Sequence, residues 1–119
     1  MRNQPKYSFF KNTTYALKGL KDIVKTEKSF KIELLLSTVL LPVLFFLELP
    51  LAHKLLMFIS LGGMLIAETI NSAIERVVDL VTLEHHHMAG RAKDVGSSIV
   101  FLSIIVFAVT WAVILMRVI

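Results

Sequence analysis

Cysteine is absent from all 119 residues, which excludes disulfides and leaves nothing for a thiolate metal site. The usual soluble nucleotide signatures are missing too. Neither a G-x-x-x-x-G-K-[ST] loop nor a G-x-G-x-x-G turn occurs, so any nucleotide site here has an unrelated architecture. No internal repeat, low-complexity stretch or linker stands out. The basic N-terminal stretch does not read as a cleavable signal peptide, because the first apolar run leads into Glu48-Leu49-Pro50 and not into small residues. Charge itself is missing from long stretches, Leu55–Ala67 among them.

What is present is apolar surface in blocks. Hydrophobic residues make up 55% of the chain, and its mean hydropathy is +0.72. Soluble domains average about 45–50% apolar even with glycine counted. The reading is an all-α membrane protein of one domain, residues 1–119, with three transmembrane helices. These run over about 30–48, 52–83 and 91–118. Residues 1–28 place Tyr7, Phe10, Tyr15, Leu17, Leu20, Ile23 and Val24 along much of one helical face with lysines around them, so they read as an amphipathic interfacial helix. Pro42 is expected to bend or loosen the first span. Gly62-Gly63 is expected to permit close helix packing. Trp111 and Arg117 are expected to anchor the far end of the third span. Thr82–Gly90 reads as a polar loop. So small a bundle cannot bury much of a polar stripe alone, and an oligomer is expected.

The net charge is +4, and its distribution sets the topology. Eight of the thirteen Lys and Arg residues fall in the first 31 positions, namely Arg2, Lys6, Lys11, Lys18, Lys21, Lys25, Lys28 and Lys31. The turn Glu48–Lys54 carries one lysine. The positive-inside bias therefore puts the N-terminus, and the loop near residue 85, in the cytoplasm. Nucleic acid is the other reading of such a cluster, and the apolar remainder argues against it. The second span is longer than the roughly 30 Å hydrocarbon core needs, so its C-terminal end should protrude into the cytoplasm.

That end carries a polar stripe. Glu68, Asn71, Ser72, Glu75 and Asp79 share one face of the helix, at steps of three, four, seven and eleven residues from Glu68. Ionisable groups in lipid cost about 2.5–3.5 kcal/mol each on the mild insertion scale, so the stripe needs a purpose. With Glu27, Glu84, Arg91, Lys93, Asp94, Ser97 and Ser98, it forms the inventory of a phosphoryl-transfer site. Carboxylates suit Mg²⁺, a cation and amides suit phosphate, and one carboxylate can take a proton from an alcohol. Glu68, nearest the lipid, is best placed for that. Helix glue is the competing reading. An ion pathway is disfavoured by the apolar outer halves of the second and third spans. His85-His86-His87 reads as a solvated loop and not as a zinc site, since three adjacent histidines do not easily face one ion.

The strings Glu68-Thr-Ile-Asn71-Ser72-Ala-Ile-Glu75, Val77-Val78-Asp79 and Gly90-Arg91-Ala92-Lys93-Asp94-Val-Gly96-Ser97, with Tyr15, Lys18-Gly19-Leu20, Glu27 and Glu33, resemble the small prokaryotic diacylglycerol kinase family over nearly the whole chain. The resemblance implies a homotrimer in the bacterial inner membrane that transfers the ATP γ-phosphate to diacylglycerol. It implies that Glu68 is the general base and that Glu27 and Glu75 are Mg²⁺ ligands. Asn71 and Lys93 would steady phosphates. Tyr15, Glu27, Glu75, Glu84, His85, His86, Lys93 and Asp94 would bind ATP, and Glu33, Glu68 and Ser97 would meet the lipid. The sister activity, undecaprenol kinase, is the alternative within the family, and a non-catalytic membrane assembly protein the alternative outside it. Two positions depart from the family: Ser8 stands where the best-known members carry an arginine, and Leu17 where they carry a tryptophan.

Overall fold

A computed structural model describes residues 6–118, so Arg2 of the basic segment lies outside the described residues. Four helices follow in order: α1 (Phe9–Thr26), α2 (Lys28–Phe46), α3 (Leu51–Val81) and α4 (His87–Val118). No strand occurs among the described residues. The last three helices are long and apolar enough to cross a membrane.

Local chemistry explains the boundaries. Ser8 is the N-cap of α1 and accepts from the Lys11 N–H at 3.5 Å. The position where the family carries an arginine thus has a capping role here. One residue, Glu27, separates α1 from α2. It is extended (φ −105°, ψ 112°), its N–H donates to the Ile23 carbonyl at 2.9 Å, and its carbonyl accepts from the Lys31 N–H at 3.2 Å. The helix breaks there with both backbone groups of Glu27 paired. Two mid-span hydroxyls of α2 are satisfied on their own helix, with Ser37 donating to the Glu33 carbonyl and Thr38 to the Leu34 carbonyl, both at 2.8 Å. Pro42 does not interrupt α2, which runs on to Phe46. Across the turn, Lys54 Nζ donates to the Phe45 carbonyl at 3.1 Å, supplying a partner to the C-terminal turn of α2.

The α3–α4 hairpin carries the core. Met57, Leu61 and Met64 of α3 pack with Trp111 and Ile114 of α4 and Leu44 of α2. Trp111 is a correction to the sequence reading. It is buried, its ring lies 5.3 Å from that of Phe107 at a tilt of 40°, and its indole N–H donates to the Met57 carbonyl at 3.1 Å, so it fastens helix to helix where an interfacial anchor was expected. The glycine pair is a second correction. A Cβ placed on Gly62 or Gly63 meets nothing within 4 Å, so neither makes a close helix approach within the chain. The close approach is at Gly96, where a Cβ would come to 2.5 Å from Asn71 Oδ1.

Helix α4 also starts at His87, four residues before the expected Arg91, because His86 Nδ1 accepts the Met88 N–H at 3.1 Å and occupies one of the helix's free donors. The polar loop shrinks to residues 82–86. At 31 residues, α3 is about 46 Å long. That exceeds the roughly 30 Å of hydrocarbon, so α3 is longer than a perpendicular crossing needs.

Candidate active site

The site is assembled where the C-terminal half of α3 meets the α1–α2 elbow and the start of α4. Ser72 is buried and donates to Glu27 Oε1 at 2.9 Å, joining residues 45 positions apart. Asn71 Nδ2 donates to Glu75 Oε1 at 3.1 Å, one helical turn on. Lys93 Nζ pairs with Asp79 at 2.8 Å, linking α4 to α3. The Glu33 and Glu68 carboxyl groups face each other across α2 and α3. Carboxyl groups from α2, α3 and the elbow therefore border one region.

Asn71 Oδ1 is a buried acceptor with no protein donor, and Glu33 Oε2 is buried with only the Glu68 carboxyl facing its group. A buried oxygen left unpaired costs about 1–3 kcal/mol. A packing motif would gain by satisfying Asn71 Oδ1, whereas a substrate hydroxyl or a hydrated cation would supply what it lacks. The donor set is all oxygen, which suits Mg²⁺ and not a thiolate-seeking metal. Both contacts to the Glu27 carboxylate fall on Oε1, the Ser72 hydroxyl at 2.9 Å and Arg76 Nη2 at 3.7 Å, which leaves Oε2 for an incoming cation. Among the described residues no group of three or more His, Asp or Glu is arranged to hold a metal. Protein ligands here are thus few, and Mg²⁺ commonly fills its octahedron with water and phosphate oxygens.

A hollow of about 310 Å³ adjoins this cluster. Glu84, His85, His86, Lys93 and Asp94 line it with Thr82 and Gly90, so five of the nucleotide candidates share one cavity. Tyr15 does not join them. It stands half-exposed on α1. Ser97 is exposed on α4. Helix α3 packs on both α2 and α4, whereas α2 and α4 form no extensive pair of their own, so within one chain Ser97 does not close on Glu33.

Three residues that the motif reading passed over are structurally central. Arg76 of α3 pairs with Asp22 and donates to Thr26 Oγ1 at 2.8 Å. Gly96 makes room for the Asn71 amide. The signal for the pair was available, since Asp22 is the only acid in α1 among four lysines.

Residues 14–115 match the family model described as prokaryotic diacylglycerol kinase. The chain belongs to that family. Among relatives, it is 41% identical over 104 residues to the diacylglycerol kinase of Pseudomonas aeruginosa, covering 87% of this chain and 85% of that one. It is 39% identical over 104 residues to the diacylglycerol kinase of Haemophilus influenzae, covering 87% and 88%. It is also 35% identical over 101 residues to the undecaprenol kinase of Bacillus subtilis, covering 85% and 79%. The family is thus one of lipid-alcohol kinases in name, and the carboxylates of the site lie within its matched span.

Proposed function

We propose that this protein is an ATP-dependent diacylglycerol kinase of the bacterial inner membrane, with its N-terminus and the loop at residues 82–86 in the cytoplasm. The observation that carries the reading is the cluster at the C-terminal end of a membrane-length helix, where Ser72 holds Glu27, Asn71 holds Glu75 and Lys93 pairs with Asp79, beside a hollow lined by Glu84, His86, Lys93 and Asp94. A lipid alcohol arriving in the bilayer plane and a nucleotide arriving from water can meet there. Glu68 accepts the proton of the acceptor hydroxyl. That oxygen attacks the γ-phosphorus, the bond to the β-bridging oxygen breaks, and ADP departs with phosphatidic acid as the other product. Glu27 and Glu75 would hold Mg²⁺, which would supply positive charge against the phosphates. Asn71 and Lys93 steady the phosphates, with Lys93 exchanging Asp79 for the nucleotide. Glu84, His85, His86 and Asp94 line the nucleotide's berth, and Tyr15 reaches it from α1. Glu33 and Ser97 meet the lipid. Helix α1 lies in the interface with its lysines at the head groups. Three copies assemble, which brings Ser97 and Tyr15 towards sites that a single chain leaves open.

The test is transfer from labelled MgATP by detergent-purified protein, with diacylglycerol and undecaprenol side by side. Preferential labelling of diacylglycerol supports the reading. Preference for undecaprenol moves it to the sister activity, and labelling of neither by folded protein overturns it.

A further inference from the structure

We propose that Arg76 is a positioning residue that sets the α1–α2 elbow, and with it the Glu27 carboxylate, at the site. The inference rests on the lipid-kinase reading above for its catalytic consequence, but its geometric part stands alone. Glu27 is the single extended residue between two helices, and α2 has no side-chain cap at its start. Its place therefore depends on what grips the end of α1. Helix α1 buries only Ile23, and a groove of about 440 Å³ runs between it and α3, lined by Gly19, Leu20 and Thr69 among others. Packing alone leaves α1 loosely held.

Arg76 lines that groove and reaches across from α3. One nitrogen, Nη1, pairs with Asp22. The other, Nη2, donates to Thr26 Oγ1 at 2.8 Å and stands 3.7 Å from Glu27 Oε1. The Thr26 hydroxyl gives its own proton to the Asp22 carbonyl at 2.8 Å, so its lone pairs are fixed towards Arg76. A planar guanidinium can serve three partners at once, whereas a lysine ammonium is a point donor on a flexible stem. Ser72 holds Glu27 Oε1 from the α3 side at 2.9 Å. The carboxylate is thereby gripped by one oxygen and free at the other. Asp22 and Arg76 are both partly exposed, and exposed pairs contribute little to global stability. The clasp acts on placement more than on folding.

The experiment compares the full-length protein with Arg76→Ala, Arg76→Lys, Arg76→Asp and the exchanged pair Asp22→Arg/Arg76→Asp in lipid nanodiscs. Kinetics, Mg²⁺ titration, thermal midpoint and amide hydrogen exchange are read on each. Arg76→Ala is expected to lower kcat about tenfold to a hundredfold, as misplacement of a reacting group does. It should raise the Mg²⁺ needed for half-activity and leave the thermal midpoint nearly unchanged. Exchange of the amides at residues 24–31 should quicken about tenfold while the α3–α4 core stays protected. Arg76→Lys should recover part of the activity, and the exchanged pair should recover more than Arg76→Asp alone. Wild-type kcat and Mg²⁺ dependence in Arg76→Ala would overturn the proposal while leaving the kinase reading intact. Were the wild type inactive on both lipids, the kinase reading would fall, and exchange would still decide the clasp: quickening supports it, and no change overturns it.

Discussion

Position 96 has no room for a side chain beside the Asn71 amide. A Cβ at position 96 would sit 2.5 Å from Asn71 Oδ1, far inside van der Waals contact. The colliding atom ends a side chain, so Asn71 can swing away, but only by giving up its 3.1 Å bond to Glu75. Gly96→Ala should therefore cost about 1 kcal/mol of stability, the worth of one hydrogen bond. Its effect on transfer should be larger, about tenfold or more on kcat, because a phosphate-positioning group has moved. Denaturant titration and steady-state kinetics on the same preparation check both, and Asn71→Ala should abolish the further effect of Gly96→Ala. Trp111 makes the contrasting case. Trp111→Phe removes the bond to the Met57 carbonyl, which keeps its bond from Ser60 Oγ at 2.9 Å. The expected loss is about 0.5–1.5 kcal/mol with kcat unchanged, since the site lies at the other end of the hairpin.

Among the elements, α3 does two jobs along one axis. Its N-terminal half is packed with Trp111 and Ile114, and its C-terminal half faces Gly96, Lys93 and the elbow. The antiparallel register of α3 and α4 separates stability from chemistry. Much of this was legible in the sequence. The periods of 3.6 gave the helices, and the steps from Glu68 gave one face of α3. Glu27 stood in the sequence inventory as one acid among several, and only the family resemblance gave it a ligand role, since one carboxylate in a basic segment has no period to mark it. The structure brings it against Ser72. What stayed hidden was tertiary. Trp111 reads as an interfacial anchor from its depth, and only packing against Met57 reveals its donor's partner. Gly62-Gly63 reads as a packing motif, yet no neighbour in the chain approaches it. The start of α4 at His87 depends on a cap from His86 that no periodicity signals.

As a whole, the molecule cannot stand alone in water. Large apolar side chains such as Leu35, Phe45, Phe46, Ile59 and Phe101 stay more than half exposed along the spans, as lipid-facing or subunit-facing surface must. The basic α1 and the lone lysine of the outer turn give the orientation its prediction. Because native cysteine is absent, single-cysteine variants report cleanly. His85→Cys should react with a membrane-impermeant maleimide only after the cells are opened, and Ala52→Cys should react in intact cells.

The claim on which everything else depends is that the carboxylates at the end of α3 do chemistry and do not simply glue helices. Glu68→Gln tests it most directly, because the amide keeps the size and hydrogen-bonding reach but cannot accept the proton. The measurement is the rate of phosphate transfer to diacylglycerol at saturating MgATP and lipid, on protein whose assembly is checked by size-exclusion chromatography. The expected result is a fall in kcat of about 10²–10⁴-fold, the usual contribution of a positioned base, with the assembly unchanged. Transfer at the wild-type rate, or loss of activity only because the assembly falls apart, would contradict it.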